Sequence, residues 1–260
     1  MDSVLAQKGV DIEYIIVDGG SKDGTVDIIK EFASRSVRLA SPGCLVIKWI
    51  SGPDRGMYDA INKGIKMATG DIVGILNADD VLASDDTLAH IADQFSHKEQ
   101  ERQESGEEIG RRVDCVYADI RFVKEGESVE ALREAPTVRY CSAAKWRPWM
   151  FRFAAMVPHP SFYVRRECFE RLGGYSLDYR ICADFELELR YLLLAKLRAA
   201  YLPECVVIMR MGGMSTSGWR SNVLINREDL RALRSHGIWS CLPLIYLKYL
   251  FKIWGFVFRG

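Results

Sequence analysis

A repeated alternation of short apolar runs with segments of helical periodicity is the feature that most constrains the fold of this chain. Apolar runs occupy 12–17, 45–50 and 71–76, and apolar residues recur at helical spacing in the segments that follow them, 25–32, 57–68 and 85–95. Continuous apolar runs of this length are typical of strands that are buried on both faces of a sheet. Strands and helices that alternate through short loops form parallel βαβ units. We therefore predict an α/β fold with a mostly parallel central sheet and helices on both faces.

The rest of the chain continues this pattern less regularly. We predict strands at 113–123, 161–164 and 199–209, helices at 166–172 and 184–197, and a solvated loop or frayed helix end at 97–112. We assign 1–218 to one large domain and 219–260 to a C-terminal helical segment.

The charge balance and the cysteines of the chain indicate which kinds of partner and which cellular compartment to expect. Lys and Arg together number 35, as do Asp and Glu, so no overall positive charge favours a nucleic-acid partner. The seven cysteines lack the paired spacing of a zinc site, and we expect buried free thiols in a reducing compartment. The N-terminal residues contain no apolar core of a secretory signal. We expect a cytoplasmic protein that acts at the inner face of the cell membrane.

The C-terminal tail, defined here as 237–260, is apolar and aromatic and carries no acidic residue. Its length would span a bilayer, but Lys248 and Lys252 lie within it, and each costs about 2.5–3.5 kcal/mol at the centre of a membrane. With Arg259 they form one basic stripe along an apolar helix, a pattern that favours an interfacial helix on an anionic membrane. Packing against the protein or a partner chain is the second interpretation. We expect peripheral membrane contact through 238–259.

Acidic residues stand at the ends of the first three predicted strands. Asp18 ends the first, Asp54 follows the second, and Asp79 and Asp80 follow the third within the sequence LNADD. In open α/β sheets, ligands bind at the carboxyl ends of the strands. Carboxylates there suit Mg²⁺ or Mn²⁺, with phosphate oxygens and waters as the remaining ligands. We predict a divalent-cation site at Asp79 and Asp80, with simple solvation of two surface carboxylates as the alternative.

Asp18 has two interpretations that its spacing alone leaves open. The side chain is placed to accept a hydrogen bond from the N–H of a base or from a ribose hydroxyl, with Gly19 and Gly20 allowing a ligand to approach the backbone. Alternatively, the Asp and the two glycines only satisfy the backbone of a strand-to-helix turn.

Four segments of the chain together resemble glycosyltransferase family 2, whose members are inverting enzymes with the GT-A fold. They are EYIIVDGGSKDGT, GPDRGMYDAINKGIKMATGD, ILNADD, and HPSFYVRRECFERLGGY followed by ADFELELR. The segments extend from Glu13 to Arg190, and the second is the most specific. The resemblance implies transfer of a sugar from a nucleotide-sugar donor, most often a UDP-sugar, to a glycan or lipid-linked acceptor, as in bacterial envelope and capsular polysaccharide synthesis. No QxxRW-like motif follows Asp184, so we do not expect a processive polymerase.

The resemblance also implies a role for each matching residue. Nucleotide-sugar binding is expected at Asp18, Gly19, Asp54, Arg55, Asn77, Asp79 and His159. Asp79 matches the metal-binding aspartate of the family, and Asp80 is its expected supporting neighbour. Asn77 stands where many relatives carry a first Asp, which gives the metal site one charge fewer. The segment 212–215 resembles a flexible loop that closes over the donor.

Asp184 matches the family's catalytic base, which removes the proton of the acceptor hydroxyl in a single displacement. The alternative is that Asp184 only stabilises the start of the helix that follows it. His159 either bonds the donor phosphate, binds the metal or braces the loop beside Asp184.

The chain departs from the family at its start, because relatives begin with a further strand that lies beside the nucleotide. Without that strand, the edges of its neighbours are exposed and part of the base pocket is absent. Three functions therefore stay open. They are an active metal-dependent glycosyltransferase, a catalytically impaired glycosyltransferase-like protein that binds nucleotide, and a nucleotidyltransferase on a related sheet.

Overall fold

The computed structural model describes residues 1–34, 43–105, 112–124, 126, 128–211 and 218–248. Its strands are β1 (Ile12–Asp18), β2 (Leu45–Ser51), β3 (Ile72–Val73), β4 (Val81–Leu82), β5 (Cys115–Val123), β6 (Arg139–Cys141), β7 (Tyr163–Arg165) and β8 (Ala199–Arg210). Its helices are α1 (Asp2–Leu5), α2 (Thr25–Ser34), α3 (Met57–Met67), α4 (Thr87–Ser105), α5 (Val129–Glu134), α6 (Arg166–Leu172), α7 (Ala183–Glu188), α8 (Gly218–Ser235) and α9 (242–248). Short 3₁₀ turns lie at Pro148–Phe153 and His159–Ser161, and a π-helical turn lies at Leu189–Leu194.

The first βαβ unit forms as the apolar pattern predicts. β1 and β2 pair in parallel, from Ile12 opposite Leu45 to Asp18 opposite Ser51, with α2 between them in the chain. α3 packs against β1, with Gly64 facing Val17. The carboxyl ends of both strands therefore lie together at one edge.

The larger sheet is mixed rather than mostly parallel. Its strand order is β3-β7-β5-β8-β4, with β6 added to β5. β5 and β8 pair in parallel, whereas β7 is antiparallel to both β3 and β5, and β4 is antiparallel to β8. The expectation of parallel strands came from helical crossovers in the first third of the chain. The 3₁₀ and irregular segments that precede β7 impose no parallel direction, and β7 is antiparallel to β5, whereas β8 follows α6 and α7 and is parallel to β5.

The main hydrophobic core joins the sheet to the helices that follow it. Buried residues of β5 and α7 pack with Tyr58 of α3 and with Leu233 and Ile245 of the C-terminal helices. The helix predicted at 184–197 is α-helical only to Glu188 and then widens into the π-helical turn. The segment 97–105, predicted as a loop or frayed end, belongs to α4.

The facing edges of β1 and β3 are both open. Among the described residues, β1 pairs only with β2 and β3 only with β7. Between the two strands lies a cavity of about 620 Å³, bordered by apolar side chains of β1, α3, α4 and the segment from Asp71 to Ala78. The cavity lies along the unpaired edge of β3, which is only two residues long.

The C-terminal tail packs on the protein as far as it is described. Gly237 (φ 71°) ends α8, and α9 returns along it, with Ile245 fully buried in the main core. Lys248 is also buried, and its Nζ lies 2.7 Å from Asp229 Oδ2 of α8. Lys248 is therefore not part of an exposed basic stripe, because it neutralises a buried carboxylate. The rest of the stripe, Lys252 and Arg259, lies outside the described residues, and no described helix is long and apolar enough to cross a bilayer.

Candidate active site

The loop after β1 is built around the carboxylate of Asp18. Asp18 Oδ2 accepts hydrogen bonds from the backbone N–H of Gly20 and Ser21, both at 3.0 Å, and from Ser51 Oγ at 2.6 Å. Its Oδ1 accepts one from Ser21 Oγ at 2.5 Å. The hydroxyls of Ser21 and Ser51 and these N–H groups lower the pKa of Asp18 to about 2. Asp18 is thus an ionised residue that fixes the turn, and its predicted contact with a nucleoside stays a prediction.

The loops after β1 and β2 touch each other. A Cβ at Gly19 would lie 2.7 Å from Asp54 Oδ2, so only glycine leaves room for the Asp54 carboxylate. Asp54 in turn accepts a hydrogen bond from the backbone N–H of Gly56 at 2.8 Å. The exposed Arg55 guanidinium lies 3.4 Å from Asp59 Oδ1. Gly19, Asp54 and Arg55, which are predicted to bind the donor, therefore belong to one surface.

The loop after β3 holds one buried and one exposed carboxylate. Asp80 is buried and accepts a hydrogen bond from Asn77 Nδ2 at 3.0 Å, whereas Asp79 is exposed. Burial, with a further contribution from the charge of Asp79, raises the pKa of Asp80 to about 6. Asn77 thus restrains Asp80. Asn77 and Ala78 border the cavity beside β3, as do Val17 at the end of β1 and Met57 at the start of α3.

The most specific of the four resemblance segments, 52–71, includes α3, and side chains of α3 form hydrogen bonds to the segments that carry Asp184 and Tyr175. The single hydroxyl proton of Tyr58 is shared between two acceptors, the carbonyl of Ile181 and Asp184 Oδ1, the latter at 3.2 Å. Asn62 makes two hydrogen bonds to the backbone of Tyr175. Its Nδ2 donates to the Tyr175 carbonyl, and its Oδ1 accepts from the Tyr175 N–H, each at 2.8 Å. The rings of Tyr58 and Tyr175 stack with centroids 5.6 Å apart. The beginning of α3 follows Asp54 directly, so the second and fourth resemblance segments meet here.

The start of α7 is fixed by hydrogen bonds to a carboxylate of α8. The carboxylate of Glu228 accepts hydrogen bonds from the backbone N–H groups of Arg180, Ile181 and Cys182 at 2.9–3.0 Å. Those N–H groups precede the first turn of the helix, where an anionic acceptor is favourable. Asp184 Oδ1 also accepts from the N–H of Phe185 at 2.8 Å, so the side chain contacts its own helix start as well as Tyr58. Asp184 is half-buried, which leaves it accessible.

A polar chain that the sequence did not predict runs from Asp184 into the core. Tyr175 stacks on Tyr58, and its hydroxyl lies 3.3 Å from His159 Nε2. His159 Nδ1 faces Glu188 Oε1 at 3.7 Å, an ion-pair distance that is too long for a hydrogen bond. Burial alone would lower the pKa of His159, but Glu188 and Asp184 raise it overall, whereas burial raises the pKa of Glu188 to about 8. The sequence pattern predicts that Glu188 is an exposed charged residue of a surface helix. Only the structure shows the π-helical turn that follows it, a feature that is frequent at functional sites.

The predicted site residues form three groups. Asp18, Gly19, Asp54 and Arg55 lie at the β1 and β2 loops, and Asp184 and His159 lie at the polar chain, with α3 between these two groups. Asn77, Asp79 and Asp80 lie at the third strand end, and no hydrogen bond or ion pair among the described residues links them to Asp184 or His159. The segment 212–215, predicted to close over the donor, lies outside the described residues.

The residues at the third strand end fit a cation that is shared with a ligand. Within the described ranges, no group of three His, Cys, Asp or Glu side chains is arranged to hold a metal ion. Mg²⁺, however, is often bound through only one or two carboxylates together with substrate phosphates. The raised pKa of Asp80 indicates that its charge is poorly compensated by the protein alone. Asp79 and Asp80 therefore suit a metal that arrives with phosphate oxygens, rather than a metal centre supplied wholly by the protein.

Several similar sequences carry the name glycosyltransferase. Residues 1–101 match the sequence model of glycosyl transferase family 2. The PGL/p-HBAD biosynthesis glycosyltransferase of Mycobacterium bovis is 29% identical over 233 residues, which cover 90% of this chain and 77% of the relative. An uncharacterized glycosyltransferase of Mycobacterium tuberculosis is 30% identical over 187 residues, covering 71% of this chain and 59% of that protein.

Solved structures share the fold at low sequence identity. Staphylococcus aureus TarS 1–349 in complex with UDP superposes with a TM-score of 0.52 at 14% identity, over 88% of this chain and 60% of that 1–349 chain. The complex with UDP-GlcNAc gives a TM-score of 0.55 at 13% identity. The chain thus spans about 60% of the solved chains that it matches. Their GT-A fold confirms the predicted fold class, and the family match together with the named relatives confirms the predicted resemblance to glycosyl transferase family 2.

Proposed function

We propose that this chain is an inverting glycosyltransferase that moves a sugar from a nucleoside diphosphate sugar, with UDP as the nucleotide, to an acceptor hydroxyl. The observation that carries the proposal is the hydrogen bond from Tyr58 to Asp184. Through this bond, the helix that begins beside Asp54 and Arg55 reaches the candidate base. The TarS structures that share the fold were solved with UDP and with UDP-GlcNAc, which supports a donor of this class.

The donor would lie across the loops at the ends of β1 and β2. Gly19 leaves backbone close to the Asp54 carboxylate uncovered, a suitable surface for a ribose or base edge. The exposed guanidinium of Arg55 is available for the diphosphate, because the ion pair that it makes within the described part of the chain is a long one with Asp59. Asp18 would act mainly by holding this loop in shape, since its carboxylate already accepts four hydrogen bonds.

Asp79 and Asp80 would hold Mn²⁺ or Mg²⁺ together with the diphosphate oxygens. Such an ion disperses the negative charge that develops on the departing diphosphate. The half-buried Asn77 keeps Asp80 oriented by its hydrogen bond, so one carboxylate of the pair is fixed and the other faces solvent.

Asp184 would act as the general base of a single displacement. Its carboxylate takes the proton of the acceptor hydroxyl, and the acceptor oxygen forms a bond to the anomeric carbon on the face opposite the diphosphate. The bond from that carbon to the diphosphate oxygen breaks, and its electron pair leaves with the nucleotide. Tyr58 and the N–H of Phe185 orient the same oxygen of Asp184, so the second oxygen is available for the acceptor.

We further propose a glycan or lipid-linked acceptor and a cytoplasmic location. All seven cysteines are free thiols, which suits a reducing compartment. The Mycobacterium bovis relative takes its name from PGL/p-HBAD biosynthesis, which supports a role in glycan assembly for this chain as well.

A catalytically impaired protein that only binds nucleotide is the second candidate, and the open edges of β1 and β3 favour it. The cavity between them adjoins Val17 and Asn77, next to the predicted donor surface. Thermal stabilisation by nucleoside diphosphate and Mn²⁺ without any turnover would support this second function.

A donor panel tests the main proposal. Release of nucleoside diphosphate is measured from UDP-, GDP- and dTDP-sugars with Mn²⁺, with Mg²⁺ and with EDTA, for the wild type and for Asp79→Ala. We expect release from a UDP-sugar that is lost with EDTA and falls by at least about 100-fold in the variant. Asp86→Ala, an exposed carboxylate after β4, is the matched control and should match the wild type. Activity that ignores both EDTA and Asp79→Ala would contradict the metal role.

A further inference from the structure

The outer face of α8 carries positive charge that the protein does not neutralise. Arg227, Arg231 and Arg234 are exposed and follow one another at i, i+4 and i+7, which places them along one side of the helix. No salt bridge found among the described residues involves any of them. Arg231 only lies over the ring of Tyr179 and bonds the carbonyl of Asp178.

The acidic residues of the same helix face inward. Glu228 is committed to the N–H groups before α7, and Asp229 to the buried Lys248. Both are buried, so α8 separates its charges, with the carboxylates inside and the three arginines outside. This separation favours an anionic partner on the outer side.

Exposed aromatic and apolar side chains adjoin these arginines. Leu242 of α9 lines the same surface depression as the three arginines, and Tyr246 lies one turn further along the same side of α9. Trp239, in the turn between α8 and α9, is 72% exposed. We call this set the arginine–aromatic surface, comprising Arg227, Arg231, Arg234, Trp239, Leu242 and Tyr246.

We propose that the arginine–aromatic surface binds a lipid bilayer with anionic headgroups. Arginines would meet the phosphates, while Trp239 and Tyr246 would sit at headgroup level, where such rings are enriched. The sequence beyond Lys248, YLFKIWGFVFRG, continues with apolar and basic residues and no acidic one. The basic residues that meet the membrane thus include arginines of α8, and the buried Lys248 instead fastens α9 to the protein.

The proposal gives α8 contacts on two different sides. Its outer side meets lipid, and its inner side holds the start of α7 through Glu228. The candidate base therefore lies one helix away from the membrane surface. An acceptor anchored in that membrane would be presented close to Asp184.

Vesicle co-sedimentation tests the proposal without any sugar donor, so its outcome is separate from that of the glycosyltransferase proposal. The full chain is mixed with vesicles of phosphatidylglycerol and phosphatidylcholine in equal amounts, or of phosphatidylcholine alone. We expect binding to the anionic vesicles that weakens at high salt, and much weaker binding to the neutral ones. Replacing the three arginines by Gln should weaken partitioning on the order of 100-fold, since each basic residue contributes about a factor of five.

Three further variants keep the test specific. Replacing the same arginines by Lys should retain binding, because the charge is kept. Lys66→Gln, Arg171→Gln and Lys196→Gln together remove the same charge from exposed positions elsewhere and should leave binding unchanged. Trp239→Ala should weaken partitioning by about tenfold, since a large apolar side chain is no longer buried in the interface.

Several outcomes would overturn the proposal. They are equal binding to neutral and anionic vesicles, an equal loss in the control triple variant, or no vesicle binding by the wild type. A dimer in sedimentation velocity that the Arg-to-Gln variant abolishes, without vesicle binding, would assign the surface to a second copy of the chain instead.

Discussion

The buried pair of Glu188 and His159 predicts an unusual dependence of stability on pH. Burial raises the pKa of Glu188 from its ordinary 4.5 to about 8, and the pKa of His159 is raised as well. A group whose pKa is higher in the folded than in the unfolded state stabilises the fold below the unfolded pKa. That contribution is lost as the pH rises through the folded pKa. Both groups therefore act in the same direction, and stability should fall between pH 5 and pH 8.

The size of the effect follows from the shift at Glu188, which is fully buried. Each pKa unit corresponds to about 1.4 kcal/mol, so the change from 4.5 to about 8 gives an upper bound near 5 kcal/mol. For a chain of this size, 1 kcal/mol moves Tm by about 2–4 °C. Glu188→Gln keeps an acceptor for the N–H of Val157 and removes the titration. The wild type should therefore lose on the order of 10 °C more than this variant between pH 5 and pH 8.

Thermal unfolding followed by circular dichroism at pH 5, 6, 7 and 8 measures this difference. Glu186→Gln is the matched control, two residues away in the same helix. Burial alone would raise the pKa of Glu186, but hydrogen bonds from Arg190 and His236 lower it overall, so its contribution is present above pH 4.5 and lost in acid. Glu186→Gln should therefore lower Tm at pH 7. Parallel pH profiles for the wild type and Glu188→Gln would refute the argument.

Three further substitutions test how the site is held together. Tyr58→Phe keeps the ring stack but removes the hydrogen bond to Asp184, so turnover should fall about tenfold while Tm drops by only a few degrees; unchanged turnover would contradict this role. Glu228→Gln removes the negative charge facing three backbone N–H groups and should destabilise the fold by about 1–3 kcal/mol in urea unfolding, whereas an unaltered midpoint would show that these bonds contribute little. Gly174→Ala places a Cβ 2.3 Å from Asn62 Oδ1 and should cost about 1–3 kcal/mol in the same assay, and a neutral result would mean that Asn62 moves freely.

The sequence predicted best where local pattern and tertiary structure agree. β1, α2, β2, α3 and α6 lie within two residues of their expected bounds, because apolar runs and helical spacing reflect burial directly. The mixed direction of the larger sheet was not predictable in this way. Strand direction after β5 depends on which edge each returning segment pairs with, and the irregular and 3₁₀ segments before β7 do not indicate its antiparallel direction.

The burial of individual charged side chains was harder to predict, because tertiary contacts bury some residues that are normally exposed. Glu188 and Lys248 are charged positions within helical patterns, and such residues are normally exposed. Lys248 is buried with a partner from another helix, Asp229, whereas Glu188 is buried 3.7 Å from His159 and its pKa is raised by burial. Tyr58 and Asn62 lie inside the most specific motif, yet their roles became visible only when α3 was found against Asp184 and Tyr175.

A comparison of UDP binding and turnover in Asp184→Asn tests directly whether Asp184 is the general base. Calorimetry with UDP and Mn²⁺ measures the donor site, and release of UDP from a UDP-sugar in the presence of a glycan acceptor pool measures the reaction. We expect the variant to bind UDP within about twofold of the wild type and to release UDP at least about 100-fold more slowly, as expected for removal of a general base. Release at the wild-type rate by the folded variant would contradict the assignment of Asp184 as the base.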